Sequence, residues 1–131
     1  MELNLTGLIA AISAFLGIWL GHVSVRVIER SAKRLWQPIV IALTLGFALE
    51  ICSLFTDHWL LNTALGILGI TILWDALEFV RQEKRVTKGH APANPSNPRH
   101  AQILAEYPAA TTIDLLKREP LGRPVSMLMK R

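Results

Sequence analysis

The carboxyl group of Glu50 lies inside an apolar segment and is the side chain best placed to do chemistry. Along a helix it would lie about five residues, or roughly 7.5 Å, inside the end of that segment. An ionisable group at such a depth in lipid costs a few kcal/mol, so it should face other protein or stay protonated. Asn62, Thr63 and Thr6 have similar predicted depths and are its expected hydrogen-bond partners. A bond between helices, a proton or ion site, and pairing with another subunit all remain open.

A histidine and an aspartate form the second candidate. His22 and Asp75 each lie about five residues from the same end of two other apolar segments, so a hydrogen-bonded pair is sterically reasonable. Further along the same two segments lie Glu29, near Arg26, and Glu78, near Arg81. These charges predict a small salt-bridge network at the membrane boundary. Contact between helices is the simplest interpretation. Haem ligation would need a second histidine from an oligomer or a partner, because no other histidine is predicted at the level of His22.

No pattern in the sequence indicates catalysis or a cofactor. It contains no Gly-rich phosphate loop, no metal-ligand spacing and no nucleophile beside a base. The single cysteine, Cys52, excludes an internal disulfide and a cysteine-based metal cluster, and its apolar setting predicts burial. His90 and His100 flank a proline-containing stretch and are expected to be solvated. We therefore predict no enzymatic activity, no cofactor and no bound metal.

Three apolar segments must position these side chains. Residues 3–25 contain no Asp, Glu, Lys or Arg, and a helix of that length rises roughly 34 Å, enough to cross a bilayer. A tryptophan and a proline begin the second segment, and another tryptophan begins the third. The sequence predicts an all-α protein with three transmembrane helices, spanning about residues 3–27, 38–55 and 59–79, and an extended C-terminal tail.

Small residues predict close packing of these helices. Gly17 and Gly21 form a literal GxxxG motif in the first span, and Gly66 and Gly69 lie in the third. Such residues let two helix backbones approach closely. Packing within the chain and self-association are both compatible with the motif.

The distribution of basic residues predicts the orientation. Clusters of Lys and Arg follow the first and third spans, whereas residues 56–58, between the second and third spans, contain neither. Because positive flanks stay on the cytoplasmic side, we expect the N-terminus outside and the tail in the cytoplasm.

The tail, residues 89–131, has a different character. From Arg81 onward ten Lys or Arg stand against four acids, without interleaved aromatic residues, which argues against a nucleic-acid partner. We expect a linker over 89–99, a short helix over 101–107 and a second helix from Thr111 or Thr112 to Glu119. About ten large apolar side chains are too few for a core and too many for a disordered tail. Docking on a protein partner is therefore predicted, with a membrane surface as the competitor. The expected docking residues are Tyr107, Ile113, Leu116, Met127 and Met129.

The third segment and its exit resemble a known family. The residues that carry the resemblance are Gly66-Ile67-Leu68-Gly69, Leu73-Trp74, Glu78, Gln82, Arg85-Val86, Gly89, Pro92 and Asn94-Pro95, with Gly21-His22, Glu29, Trp36 and Pro38 earlier in the chain. Together they are similar to a family of short bacterial membrane proteins known only as a domain of unknown function. Val23 stands where that family tends to have a proline. The resemblance covers roughly residues 5–99 and implies a three-helix protein of the bacterial cytoplasmic (inner) membrane without an established activity.

Three functions are compatible with these features. The first is a small non-catalytic subunit, bound to lipids and other subunits, that helps to assemble or anchor a larger bacterial membrane complex, for example a respiratory or other electron-transfer assembly. The alternative is an oligomeric small transporter or a proton/ion-conducting component that uses Glu50. The third is an enzyme or a quinone- or haem-binding subunit. Fold alone does not decide among them.

Overall fold

The computed structural model describes residues 4–115 and residue 117. Four helices follow one another: α1 (Thr6–Ser31), α2 (Trp36–Leu54), α3 (Trp59–Thr87) and α4 (Pro98–Glu106). No strand occurs among these described residues. The first three helices are long and apolar enough to cross a membrane. The protein is therefore an all-α membrane protein with three transmembrane helices, as the sequence predicts.

Two of these helices extend further than the predicted spans. α1 ends at Ser31 rather than near residue 27, and α3 ends at Thr87 rather than near residue 79. Hydropathy locates the point where apolar residues stop, but the Arg, Gln, Glu and Lys residues that follow are themselves good helix formers. The helices consequently continue beyond their apolar parts.

α3 is the central helix, because it packs along both α1 and α2. The buried face of α1 is a stripe at four-residue spacing that consists of Ser13, Gly17, Gly21, Val25 and Glu29. A Cβ atom at Gly17 would lie 2.5 Å from Thr71 Oγ1, and one at Gly21 would lie 2.6 Å from Asp75 Oδ1. The GxxxG motif thus provides the close approach of α1 to α3 within the chain.

Large apolar side chains point away from these contacts. Phe15, Ile41 and Phe47 are all more than half exposed. Trp19 is 56% exposed and Cys52 is also exposed, so the prediction that Cys52 is buried is wrong. The reason is that small residues occupy the helix contacts, which leaves the larger ones for the lipid.

A left-handed glycine ends α3 and turns the chain back. Gly89 has φ +73°, its N–H donates to Val86 O (3.0 Å), and the N–H of His90 donates to Arg85 O (2.8 Å). This pair of bonds is the Schellman arrangement, which satisfies carbonyls that the helix end leaves unpaired.

The segment after Gly89 is ordered against the end of α3. Val86, Ala93 and Ile103 form a small buried cluster, and Ala93 N–H donates to Thr111 O (2.8 Å). The predicted short helix is present as α4, which starts earlier than expected because Asn97 caps it and Pro98 occupies its first position. The second predicted helix is wrong at its start, since residues 111–115 are not helical and contain only a bend at Thr112 and a turn at Leu115. Most of that predicted helix lies outside the described residues.

Replacing Gly89 with alanine should destabilise this junction. The left-handed conformation costs a residue with a Cβ atom about 1–2 kcal/mol. The added Cβ would also collide with the carbonyl oxygen of Ala109, which is backbone. We expect G89A to lower the free energy of unfolding by at least that amount, measured by denaturant titration in detergent. G7A is the matched control, because a Cβ at Gly7 meets nothing within 4 Å. Equal stabilities of G89A and G7A would show that the turn at the end of α3 does not require a glycine at position 89.

Candidate functional sites at the membrane boundary and between the helices

The carboxylate of Glu29 is buried at the end of α1 and joins this helix to the segment after α3. Its side chain is 1% exposed, and Oε1 accepts hydrogen bonds from Arg99 Nη2 (2.8 Å) and His100 Nε2 (2.9 Å). Arg99 also donates through Nη1 to Glu83 Oε1 on α3 (2.6 Å). One guanidinium therefore binds carboxylates from two membrane helices, which is a strong, charge-assisted arrangement.

The hydrogen bonds of His100 define which of its ring nitrogens carries the proton. Nδ1 accepts from the backbone N–H of Asn94 (2.9 Å), so the ring proton lies on Nε2 and is donated to Glu29. The side chain is fully buried. The prediction that His100 is solvated is therefore wrong, because the proline-containing stretch folds back over the end of α1 instead of extending into water.

Two asparagines and Arg99 satisfy the exposed carbonyls at the end of α1. Asn97 Nδ2 donates to Arg30 O (3.1 Å) and Ala32 O (2.9 Å), and Asn94 Nδ2 donates to Arg30 O (3.2 Å). Arg99 Nε donates to Ala32 O (3.2 Å). A helix end normally meets this need with its own cap or with water. Here a segment more than sixty residues away supplies the donors. We call Glu29, Asn94, Asn97, Arg99 and His100 the boundary clamp.

Glu78 belongs to a separate network on α3. It is buried and accepts from Arg81 Nη1 (2.8 Å) and Arg85 Nη2 (3.4 Å). The guanidinium of Arg81 also lies 4.8 Å from the ring centre of Trp74, a cation–π contact. Both carboxylates therefore form salt bridges at the boundary, but not in the single predicted network: Glu78 pairs with Arg81 and Arg85, whereas Glu29 pairs with Arg99 from the segment after α3.

Glu50 lies in the contact between α2 and α3. A Cβ atom at Gly69 would lie 2.7 Å from Glu50 Oε1, and one at Gly66 would lie 4.0 Å from Oε2. These two glycines thus make room for the glutamate. The residue is half-buried, and no hydrogen bond joins its carboxyl group to another side chain or backbone group in the described part of the chain.

The partners predicted for Glu50 bond elsewhere. Asn62 Nδ2 donates to Ser53 O (2.9 Å), and Thr63 Oγ1 donates to Trp59 O (2.9 Å). Thr6 donates its backbone N–H to Asn4. The prediction of a hydrogen bond from these residues to Glu50 is wrong. For Asn62 and Thr63 the reason is that nearby backbone carbonyls accept from the same donors.

His22 and Asp75 line one cavity between α1 and α3. Its volume is about 570 Å³, and apolar side chains such as Ile18, Ile70 and Leu77 form most of its wall. The two polar side chains share this cavity, but no hydrogen bond or ion pair within 4 Å joins them. The predicted direct pair is therefore absent, because Asp75 packs against the backbone of Gly21.

The proposed docking residues are only partly described. Tyr107 is 45% exposed and Ile113 is 55% exposed, so both are available at the surface. Leu116, Met127 and Met129 lie outside the described residues. The described part of the tail contacts its own chain, and docking of residues 89–131 on a partner remains a prediction.

One protein family accounts for most of the chain. Its profile matches residues 4–97, and it is described as a domain of unknown function (DUF4491). The chain belongs to this family. The matched part of the DUF4491 protein contains Glu29, Asn94 and Asn97, whereas Arg99 and His100 follow it. No curated protein and no solved structure matches the chain.

Removing the Glu29 carboxylate should release the boundary clamp. In E29A the buried Arg99 and His100 would lose their shared acceptor, and breaking a buried ion pair in this way costs about 3 kcal/mol. We expect lower stability in detergent and faster trypsin cleavage after Arg99. Q102A is the matched control, since Gln102 lies on α4 with Arg99 and His100 but makes an exposed hydrogen bond to Glu106 instead of a bond to Glu29. Equal cleavage rates of E29A and wild type would show that the clamp does not hold the segment.

Proposed function

We propose that this protein is a non-catalytic subunit that helps to assemble or anchor a larger membrane complex. The observation that carries the proposal is the carboxyl group of Glu50, which packs on Gly66 and Gly69 without a hydrogen-bond donor in the described part of its own chain. An ionisable group in lipid is costly unless it faces other protein or water. A neighbouring subunit with a polar side chain at this depth would supply the missing donor.

The segment after α3 supports the same proposal. Because the boundary clamp binds it to α1 and α3, its exposed side chains occupy a fixed position at the membrane boundary. Tyr107 and Ile113 there present apolar surface that could extend the contact outside the lipid. A respiratory or other electron-transfer complex in a bacterial inner membrane is the kind of assembly that we propose.

The lack of a donor also supports one alternative function. A carboxyl group that is not held by a hydrogen bond can exchange a proton, so an oligomer of this chain could conduct protons or ions along Glu50. The two functions differ in what they require of this side chain. A proton carrier needs an ionisable group, whereas a docking contact needs only a side chain of similar shape that can form the hydrogen bond.

Substitutions of Glu50 should separate these functions. Losing a hydrogen bond to a charged group costs about 1.5–3 kcal/mol, so E50L should weaken partner binding roughly tenfold or more, whereas E50Q should retain most of it. The measurement is photo-crosslinking from position 47, one turn from Glu50, followed by the intact mass of the gently solubilised complex. T44V is the control, because Thr44 Oγ1 bonds within its own helix to Val40 O.

Two results would contradict the subunit proposal. One is a lone monomer whose mass and cross-links do not depend on residue 50. The other is a proton flux in liposomes that wild type shows and E50Q abolishes, which would support the conducting alternative.

We also propose that the N-terminus and the loop between α2 and α3 lie outside, with α4 in the cytoplasm. The basic residues at the ends of α1 and α3 favour this orientation. In a C52S background, a membrane-impermeant thiol reagent applied to intact cells should label D57C and not S96C. After the membrane is permeabilised, both should react. Labelling of S96C alone in intact cells would reverse the orientation.

A further inference from the structure

The cavity between α1 and α3 opens towards the lipid. Four of its lining side chains, Ile18, Ile70, Trp74 and Leu77, are each more than half exposed on the outer surface of the helices. Its volume of about 570 Å³ lies within the range of small-molecule sites. A ligand that reaches the cavity from this side must be soluble in the bilayer.

Three polar groups of the wall can bond to such a ligand. The carboxylate of Asp75 and the ring of His22 make no hydrogen bond to another residue in the described part of the chain. Thr71 Oγ1 donates to Leu68 O (2.9 Å), so its lone pairs remain available as acceptors. The wall therefore offers acceptors from Asp75 and Thr71 and a ring nitrogen that can donate.

The chemistry of the wall limits the ligand class. No Lys or Arg is among the described residues that line the cavity, and the carboxylate of Asp75 would repel a phosphodiester, which argues against a phospholipid headgroup. A single histidine does not provide the paired ligands that a b-type haem in a helical bundle requires. A flat, uncharged ring with hydroxyl groups can donate to Asp75 and Thr71 and accept from His22, whereas its carbonyl form only accepts from His22; an apolar chain on the ring fits the apolar wall.

We propose that this cavity binds the head of an isoprenoid hydroquinone or quinone. One hydroxyl of the hydroquinone donates to Asp75, and an oxygen attached to the ring accepts from His22. The apolar chain leaves between α1 and α3 into the bilayer. We propose binding at this site and no reaction there. The proposal does not depend on the partner contact proposed at Glu50, which lies on the α2 side of α3.

The test uses the full-length protein in detergent, with decylubiquinone and its hydroquinone as probes. A chain that keeps only Trp74 (W19F/W36F/W59F) should show saturable fluorescence quenching by decylubiquinone. A matched chain that keeps only Trp59 (W19F/W36F/W74F), at the other end of α3, should show no saturable quenching. Non-saturable quenching of equal size in both proteins would mean simple partition into the micelle and would overturn the proposal.

Asp75 provides the second arm. In D75N, hydroquinone binding should weaken at least tenfold by calorimetric titration, and binding of the oxidised form should weaken less, because only the reduced head donates to the carboxylate. C52S should leave both affinities unchanged, since Cys52 lies on α2 outside the cavity.

A third measurement does not depend on the tryptophan variants. Solvent extraction of the purified wild type should yield a co-purified quinone that is depleted in D75N. Equal affinities in wild type and D75N, or recovery of phospholipid alone, would overturn the assignment.

Discussion

The end of α1 imposes the constraint on which the segment after α3 depends. A helix that leaves the bilayer exposes carbonyl groups without partners, and α1 also buries the carboxylate of Glu29 there. Asn94, Asn97, Arg99 and His100 meet both needs at once. Hydrogen bonds and the ion pairs of Arg99 with Glu29 and Glu83, rather than a large apolar core, therefore hold the segment after α3 in place. The small cluster around Val86 and Ile103 only completes the contact.

The sequence predicts the membrane helices well, because long apolar segments flanked by tryptophan and basic residues have few alternatives in water or lipid. It also predicts close helix packing at Gly17 and Gly21, because only small residues allow such an approach, but it leaves open whether the partner is α3 or a second copy of the chain. The boundary clamp could not be predicted, because its members are polar residues far apart in sequence, and counting apolar side chains finds no reason for them to be buried. The Asn-Pro steps before Arg99 were the one local signal, since asparagine before proline favours a turn or a cap.

The hydrogen bonds inside the membrane show a second limit of sequence reasoning. Depth along a helix correctly brings His22 near Asp75 and Glu50 near α3, but it does not predict which donor meets which acceptor. Asn62 and Thr63 bond to nearby carbonyls, and Asp75 packs on Gly21. The ionisable side chains between the helices that make no hydrogen bond within the described residues lie on two sides of α3. Glu50 lies towards α2, and the cavity with His22 and Asp75 lies towards α1. This separation makes a contact with a partner and a site for a lipid-soluble ligand compatible in one small chain.

Amide hydrogen exchange of the purified monomer tests most directly whether residues 89–106 belong to the folded membrane domain. We expect the amides of Asn94 and Ala101 to exchange slowly in the absence of any partner, because the first donates to His100 Nδ1 and the second to Asn97 O within the clamped segment. Their protection should approach that of the last turns of α1. Exchange at the rate of an unstructured peptide would contradict the account, since the segment would then need something other than its own helices to become ordered.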